Sequence, residues 1–134
     1  ESIRFAKVSV NGGSGYRIPT EAEWQWAALG EKNYSIFGKK YSGSGKIDEV
    51  AWYERNSQGT THPVGQKKPN ELGLYDMNGN VMEWCWEKYE GWGVTAGGSW
   101  NSNQEQCRAD KISVGYGQES GFKYIGFRIA RNRE

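Results

Sequence analysis

The stretch IPTEAEWQWAALG, residues 18–30, decides the fold class because it carries the clearest helix signal in the sequence. Thr20 is a preferred N-cap residue, and Glu23, three positions later, completes a capping box. Gly30 is a typical residue at the position just after a helix end. The pattern therefore predicts one well-defined helix over residues 20–29.

The apolar residues of this helix predict which side faces the core. Ala22, Trp26 and Leu29 follow the i, i+4, i+7 spacing of an amphipathic helix and form one apolar stripe. Trp24 and Ala28 lie beside that stripe.

The rest of the chain has the composition of short strands and turns. Its 134 residues include 19 Gly, 7 Trp and 8 Tyr, which favours many turns and a core built largely from aromatic side chains. Residues 30–48 predict a long irregular loop, and DEVAWY (48–53) a short helical turn or strand. No repeat or linker interrupts the chain, so a single domain is expected over residues 1–134. Strands are predicted in SIRFAKVSV (2–10), VMEWCW (81–86), GWGVTAGGSW (91–100) and YIGFRIAR (124–131), and few structure-forming residues in 101–123.

Charge and polarity exclude several classes of function. The 17 Lys and Arg nearly balance the 16 Asp and Glu, so the sequence gives no electrostatic reason to expect a nucleic-acid partner. No apolar run reaches the roughly 18 residues that a membrane span needs. The two cysteines, Cys85 and Cys107, are compatible with one disulfide or with two buried thiols. The single His62 is expected to be structural or solvated.

Several segments together resemble the formylglycine-generating-enzyme-like (sulfatase-modifying factor) family. The resemblance implies that family's C-type-lectin-like fold, an α+β domain with short strands, few helices and long ordered loops. Within it, Trp84, Trp86 and Trp100 are expected to belong to the scaffold. The segments are GYRIPTEAEWQWAA (15–28), HPVGQKKPNELGLYDMNGNVMEW (62–84), GGSW (97–100), CR (107–108) and GFRIA (126–130).

The resemblance also bears on catalysis. Enzymes of the family carry a cysteine pair after the GGS motif that binds copper and activates oxygen. The corresponding positions here are Ser102 and Cys107, and one thiol does not supply the two thiolates that copper(I) prefers. We therefore expect a domain that is not an enzyme. The alternative is a copper-dependent formylglycine-generating-type oxidase acting on cysteine in a peptide, which requires Cys85 and Cys107 to converge.

Within the family, the chain is most similar to the variable proteins of diversity-generating retroelements, in particular the treponemal one. It shares with them NELGLYDMNGNVMEW (70–84) apart from two positions, GGSW, and IGFR (125–128). The resemblance implies a diversifiable, ligand-binding region at about 94–128 and display on a bacterial cell surface, outside the cell. The implied partner is a protein or a glycan.

Variation in that system alters adenines in AAC-type codons, which restricts the residues that can stand at variable positions. The rule admits all ten of the predicted ligand-binding residues that close this paragraph, together with Gly115, Ser120 and Gly121. It excludes Gln104, Glu105, Gln106, Lys111, Gln118, Glu119 and Lys123. The mixture of aromatic and small polar residues is typical of paratopes. Ile112, Val114 and Phe122 are equally compatible with the core, and Asn101 and Asn103 with turns. Exposure is favoured for Tyr116 between two glycines. The predicted ligand-binding residues are Asn101, Ser102, Asn103, Asp110, Ile112, Ser113, Val114, Tyr116, Phe122 and Tyr124.

A metal site is also implied by the resemblance. DMNGNVMEW (76–84) is similar to the family's calcium loop, in which side-chain oxygens at Asp76 and Glu83 join backbone carbonyls at Gly79 and Val81. Hard oxygen ligands suit calcium. The alternative is that Asp76 and Asn78 form the turn, Glu83 caps or pairs with an arginine, and no ion binds.

Overall fold

The computed structural model describes residues 15–30, 40–116 and 122–132. The strand predicted at 2–10 and positions Ser120 and Gly121 lie outside these residues. The described elements are, in chain order, α1 (Glu21–Leu29), α2 (Ile47–Val50), β1 (Ala51–Trp52), β2 (Asn78–Gly79), β3 (Met82–Tyr89), β4 (Trp92–Ala96), β5 (Ile112–Tyr116) and β6 (Ile125–Gly126).

A four-stranded sheet of order β5-β4-β3-β6 organises the fold. β4 pairs antiparallel with both β3 and β5, whereas β6 runs parallel to β3. Two register shifts bend the sheet, one between Trp84 and Lys88 and one between Gly93 and Val94. β1 and β2 form a separate two-stranded parallel sheet, and both precede β3 in the chain. This is the mixed α+β architecture, with few helices and much irregular backbone, that the resemblance implied.

Helix α1 begins as the sequence predicts. The Thr20 hydroxyl accepts a hydrogen bond from the Glu23 N–H, and the Glu23 carboxylate accepts one from the Thr20 N–H. Gly30 ends the helix at φ +73° and donates its N–H to the Trp26 carbonyl. The predicted apolar stripe is wrong at two of its three residues, whereas Leu29 packs against the apolar core as predicted. Ala22 and Trp26 are exposed, and the buried residues are Trp24 and Ala28, because both sides of the helix carry apolar residues and tertiary packing selects one.

Other elements differ from the sequence prediction in detail. DEVAWY contains both of the proposed alternatives, the end of α2 followed by β1. The segment expected to hold few structure formers contains β5, and YIGFRIAR contributes only the two residues of β6 and an isolated bridge from Ala130 to Arg17. β5 alternates Ile112, Val114 and Tyr116, a pattern of period two that was present in the sequence.

Two apolar clusters form the core. The first joins α1 to the sheet and contains Trp24, Ala28, Met77, Cys85, Val94, Ala96 and Ala109. The second contains Tyr41, Ile47, Val50, Ala51, Tyr53 and Cys107.

Buried polar groups tie the second cluster to the loop that precedes β3. The fully buried Asn78 side chain accepts from the Ser42 N–H at 2.8 Å and donates to the Cys107 carbonyl at 2.6 Å. Gly79 lies so close to Trp52 that a Cβ would overlap the Trp52 carbonyl, and its φ of +69° also favours glycine. These contacts fix the backbone at Asn78 and Gly79 against Cys107 and Trp52.

Candidate ligand-binding face

The turn after GGS fixes the start of the candidate face. Ser99 donates its N–H to the Ser102 hydroxyl at 3.0 Å, and the two hydroxyls lie 3.1 Å apart. Ser102 was predicted to contact ligand, but it is buried, and its side chain is used to hold the turn. We therefore count Ser102 as part of the frame that supports the face.

Asn101 and Asn103 combine the two roles that the sequence left open. Both side chains are exposed. The Asn101 amide oxygen accepts from the Ser99 hydroxyl at 2.6 Å, and the Asn103 amide oxygen accepts from the Gln106 N–H at 2.9 Å. Each asparagine uses one polar atom to hold a turn, and the rest of its amide faces water.

Asp110 lies at the surface in a group of charged side chains. Arg108 donates to it through Nε at 2.8 Å and Nη2 at 2.6 Å, and this hydrogen bonding lowers the pKa of Asp110. Arg108 also lies 3.6 Å from Glu105, which in turn lies 3.5 Å from Lys111. The two-point contact orients the Asp110 carboxylate at an exposed position.

Strand β5 carries the central positions of the predicted face. It is an edge strand of the sheet within the described residues and pairs with β4. Val114 is 46% exposed, whereas Ile112 and Ser113 are partly buried and Ile112 packs against the first core cluster. Tyr116 ends the strand opposite Gly93. Strand β5 thus exposes Val114 to water, whereas Ile112 packs the strand against the core.

Phe122 and Tyr124 lie further along the chain, next to β6. Their rings stack with centroids 5.4 Å apart, and both side chains are partly buried. The Tyr124 carbonyl accepts from the Met82 N–H at 2.8 Å, which joins this segment to β3. The two rings therefore lie beside β3 and are partly exposed to water.

The two thiols are buried in different core clusters, Cys85 in the first and Cys107 in the second. Both are free cysteines, and their exposed fractions are 1% and 0%. Burial raises the pKa of each thiol to about 12. Neither side chain has the exposed, low-pKa environment of a reactive or metal-binding thiolate.

The predicted calcium loop contains one unsatisfied oxygen. Asp76 is buried at φ +55°; its Oδ2 accepts from the Gly65 N–H at 2.8 Å, and its Oδ1 has no hydrogen-bond partner. Gly79 is buried and Val81 is partly buried. A buried carboxylate oxygen without a donor fits a cation ligand.

Glu83, the second predicted carboxylate ligand, already has partners. Its Oε2 accepts from Arg128 Nε at 2.5 Å and from the Trp24 indole N–H at 2.6 Å, and its Oε1 accepts from Arg128 Nη2 at 2.7 Å. This is the arginine pairing that the sequence left open as an alternative. Oε1 keeps a second lone pair beside that hydrogen bond, so a shared ligand role is compatible with the geometry. Among the described residues, no group of three or more His, Cys, Asp or Glu side chains forms a metal cluster.

The scaffold tryptophans divide into buried and exposed ones. Trp84 is buried and Trp100 is partly buried. Trp86 lies within β3, where its backbone N–H donates to the Pro19 carbonyl at 2.9 Å, but the residue is 45% exposed. His62 is structural: its ring stacks on Trp52 at 3.8 Å, and its Nε2 lies 2.7 Å from the Ser57 carbonyl. The sequence did not indicate that Trp86 is exposed, because alternation alone does not show which face of β3 is covered at its far end.

The fold and the site define a C-type-lectin-like domain of the formylglycine-generating type. The chain belongs to the sulfatase-modifying factor enzyme 1-like domain family, whose model matches residues 1–133. The described residues contain no helix long and apolar enough to cross a membrane.

Solved and curated relatives agree with this assignment. Treponema denticola variable protein 1 superposes with a TM-score of 0.80 and 34% identity over 88% of this chain and 48% of its own. The chaperone protein LppX of Paenibacillus barcinonensis is 40% identical over 127 residues, 77% of this chain and 45% of LppX. The chain therefore spans about half the length of these relatives.

The family contains both enzymes and inactive members. The formylglycine-generating enzyme of Thermomonospora curvata is 28% identical over 150 residues, 87% of this chain and 50% of that protein. The bovine inactive C-alpha-formylglycine-generating enzyme 2 is 31% identical over 133 residues, 87% of this chain and 44% of that protein. Family membership alone therefore does not decide between catalysis and binding.

Proposed function

We propose that this domain binds a ligand without catalysing a reaction, through a diversifiable face formed by its C-terminal loops. The observation that carries the proposal is the separation of exposed and buried positions in residues 101–114. Among the positions that admit variation of an AAC codon, Asn101, Asn103, Asp110 and Val114 face water. The exposed Gln104, Glu105, Gln106 and Lys111 do not admit it and would be constant parts of the face. Loops held by a rigid frame are the usual place for recognition.

The buried frame below these positions supports the proposal physically. Ser102 holds the GGSW turn, Asn78 holds the Cys107 backbone, and Gly98 packs directly on Cys107. None of these contacts uses an exposed side chain of the face. Substitution at the exposed positions therefore leaves these three contacts intact. It removes only the turn hydrogen bonds that Asn101 Oδ1 accepts from the Ser99 hydroxyl and that Asn103 Oδ1 accepts from the Gln106 N–H.

The second candidate function is the copper-dependent oxidase. It draws support from the enzymes in the family, but the thiols argue against it here. Cys107 and Cys85 lie in separate core clusters, and Ser102 occupies the position expected for the second cysteine of the pair. Two converging thiolates are what copper(I) binding would need.

We also propose, from the likeness to the Treponema denticola variable protein, that the domain acts on the outside of a bacterial cell. Its partner would then be a protein or a glycan presented at that surface. The mixture of Asn, Ser, Val and aromatic residues suits either, because small polar groups adapt their hydrogen bonds while apolar side chains supply contact area.

Comparison of alleles tests this function most simply. The gene would be sequenced from several isolates, and differences should cluster at the adenine-compatible positions while GGSW, Cys107 and GFR stay constant. Uniform variation over the surface, or constancy at the exposed positions, would argue against diversification. In parallel, purified protein with copper(I) and a cysteine-containing peptide should yield no formylglycine, and turnover would favour the oxidase.

We further propose that the loop before β3 binds calcium as a structural ion. Asp76 Oδ1 carries the argument because it is buried without a hydrogen-bond donor. The loop oxygens at Gly79, Val81 and Glu83 would complete the ligand set, and the ion would stabilise the loop. Adding calcium to chelator-treated protein should raise the melting temperature. Asp76→Asn should abolish that rise, and absence of any calcium effect on the unaltered protein would refute the site.

A further inference from the structure

A pair of aromatic rings lies exposed at the tip of the β3–β4 hairpin. Tyr89 and Trp92 are cross-strand partners on either side of the Glu90–Gly91 turn. Directly opposite residues of an antiparallel pair place their side chains on the same face. The two side chains are 49% and 50% exposed, so a large part of both rings is in contact with water.

Carboxylates lie beside Tyr89 and in the turn. The Tyr89 hydroxyl donates to Glu21 Oε2 at 3.2 Å, and the Glu21 N–H donates to Glu87 Oε2 at 2.7 Å. Glu90 adds an exposed carboxylate in the turn itself, at φ +50°. We define these five residues, Glu21, Glu87, Tyr89, Glu90 and Trp92, as the hairpin-tip surface.

The hairpin-tip surface is electronegative. Glu21 and Glu87 lie close enough to Tyr89 to affect its hydroxyl, Glu90 lies in the turn between the two rings along the chain, and Lys88 is the neighbouring cation on β3. The electrostatic effect of Glu21, followed by its hydrogen bond and a smaller effect of Glu87, raises the pKa of Tyr89. A neutral apolar partner would have to remove water from these carboxylates without replacing their hydration.

We propose that the hairpin-tip surface binds an arginine side chain presented by a basic polypeptide segment. A guanidinium stacks on aromatic rings and donates paired hydrogen bonds to a carboxylate, so it uses both features of the surface together. The hairpin-tip surface shares no residue with the predicted ligand positions, although Tyr116 ends β5 opposite Gly93, the neighbour of Trp92. The proposal does not depend on the proposed function.

The test measures binding of an end-capped hexa-arginine peptide to the purified chain by calorimetry. Trp92→Ala removes one ring and Glu90→Gln removes one charge. Each should raise the dissociation constant about two- to fivefold, as expected for an exposed cation–π contact or ion pair. Matched controls are Trp26→Ala, at an exposed tryptophan on α1, and Glu54→Gln, which removes one exposed charge elsewhere. Both controls should bind as tightly as the unaltered protein.

The competing explanations give different results. If all four variants weaken binding equally, or if Trp92→Ala leaves it unchanged, the attraction is general electrostatics and the proposal is overturned. It is also overturned if hexa-arginine does not bind, or if a neutral oligosaccharide binds in a Trp92-dependent way while hexa-arginine does not. Unchanged melting temperatures of the variants confirm that they remain folded.

Discussion

Replacing Arg128 with methionine should destabilise the domain strongly, because it would leave the Glu83 carboxylate buried without its charged partner. The Glu83 side chain is 7% exposed and the Arg128 side chain 25%. Arg128 makes two hydrogen bonds to Glu83 and one to the Tyr75 carbonyl at 3.1 Å. In the variant, the Trp24 indole N–H would be the remaining donor to the carboxylate among these contacts.

The expected magnitude follows from the burial of the pair. Removing one partner of a buried ion pair costs about 3–5 kcal/mol. The partial exposure of Arg128 favours the lower end, about 3 kcal/mol, because water can reach the site that it vacates. For a domain of this size, that corresponds to a fall in melting temperature of roughly 10 °C.

Urea unfolding followed by tryptophan fluorescence measures this effect, with the m-value as a check on two-state behaviour. Lys68→Met is a suitable control, because Lys68 lies 3.9 Å from Glu49 in an exposed ion pair and should change stability by less than about 1 kcal/mol. The double variant Glu83→Gln, Arg128→Met should be more stable than Arg128→Met alone. A loss of under about 1 kcal/mol for Arg128→Met would refute the reasoning.

Three further predictions concern pH, thiol chemistry and packing. The Arg17 hydrogen bond lowers the pKa of Glu23 to about 2, so its stabilisation is present above the usual value near 4.5 and is lost as pH falls towards 2. The stability difference between the chain and Glu23→Gln should therefore shrink over that range in pH-dependent urea titrations, and a constant difference would contradict the assignment. Because burial raises the pKa of Cys85 and Cys107 to about 12, both should react slowly with a thiol reagent at pH 8 and rapidly in urea; fast labelling without urea would contradict it. Gly98→Ala should lower the free energy of unfolding, measured by urea titration, by about 2–4 kcal/mol, because φ is +69° and the new Cβ would lie 2.7 Å from Cys107 Sγ. No change in that free energy would show that the packing at Gly98 is looser.

The sequence predicted local structure where the signal is a contact or a backbone preference within a few residues. The capping box of Thr20 and Glu23 and the glycine after the helix identified α1 almost to its ends, because each signal is a hydrogen bond or a dihedral preference within a few residues. The family motifs then supplied the global fold, which composition alone suggested only as short strands and turns.

The sequence could not decide which side of an element is covered. Trp26 and Trp24 are both apolar residues of α1, yet only Trp24 is buried, where its indole N–H meets Glu83 across 59 positions of sequence. Ser102 passed the codon filter, but it is buried, and its carbonyl accepts a hydrogen bond from the distant Glu54 N–H at 3.1 Å. Both outcomes depend on tertiary packing, which no local pattern encodes.

The sequence therefore predicted the candidate face as a segment, and the structure shows which residues of that segment are exposed. Asn101, Asn103, Asp110 and Val114 remain as exposed positions, while Ile112 shares in the core. The difference matters for experiments, because substitution at Ile112 removes core packing, whereas substitution at the exposed Asp110 or Val114 removes none.

The central claim is that the exposed positions of this face vary without loss of the fold. It is tested most directly by a library randomised at Asn101, Asn103, Asp110 and Val114, displayed on cells and scored for the folded fraction after heating. A second library of equal size, at the buried Ser57, Asn78, Ser99 and Ser102, provides the comparison. We expect most members of the first library to stay folded and most of the second to unfold; equal losses in the two libraries would contradict the account.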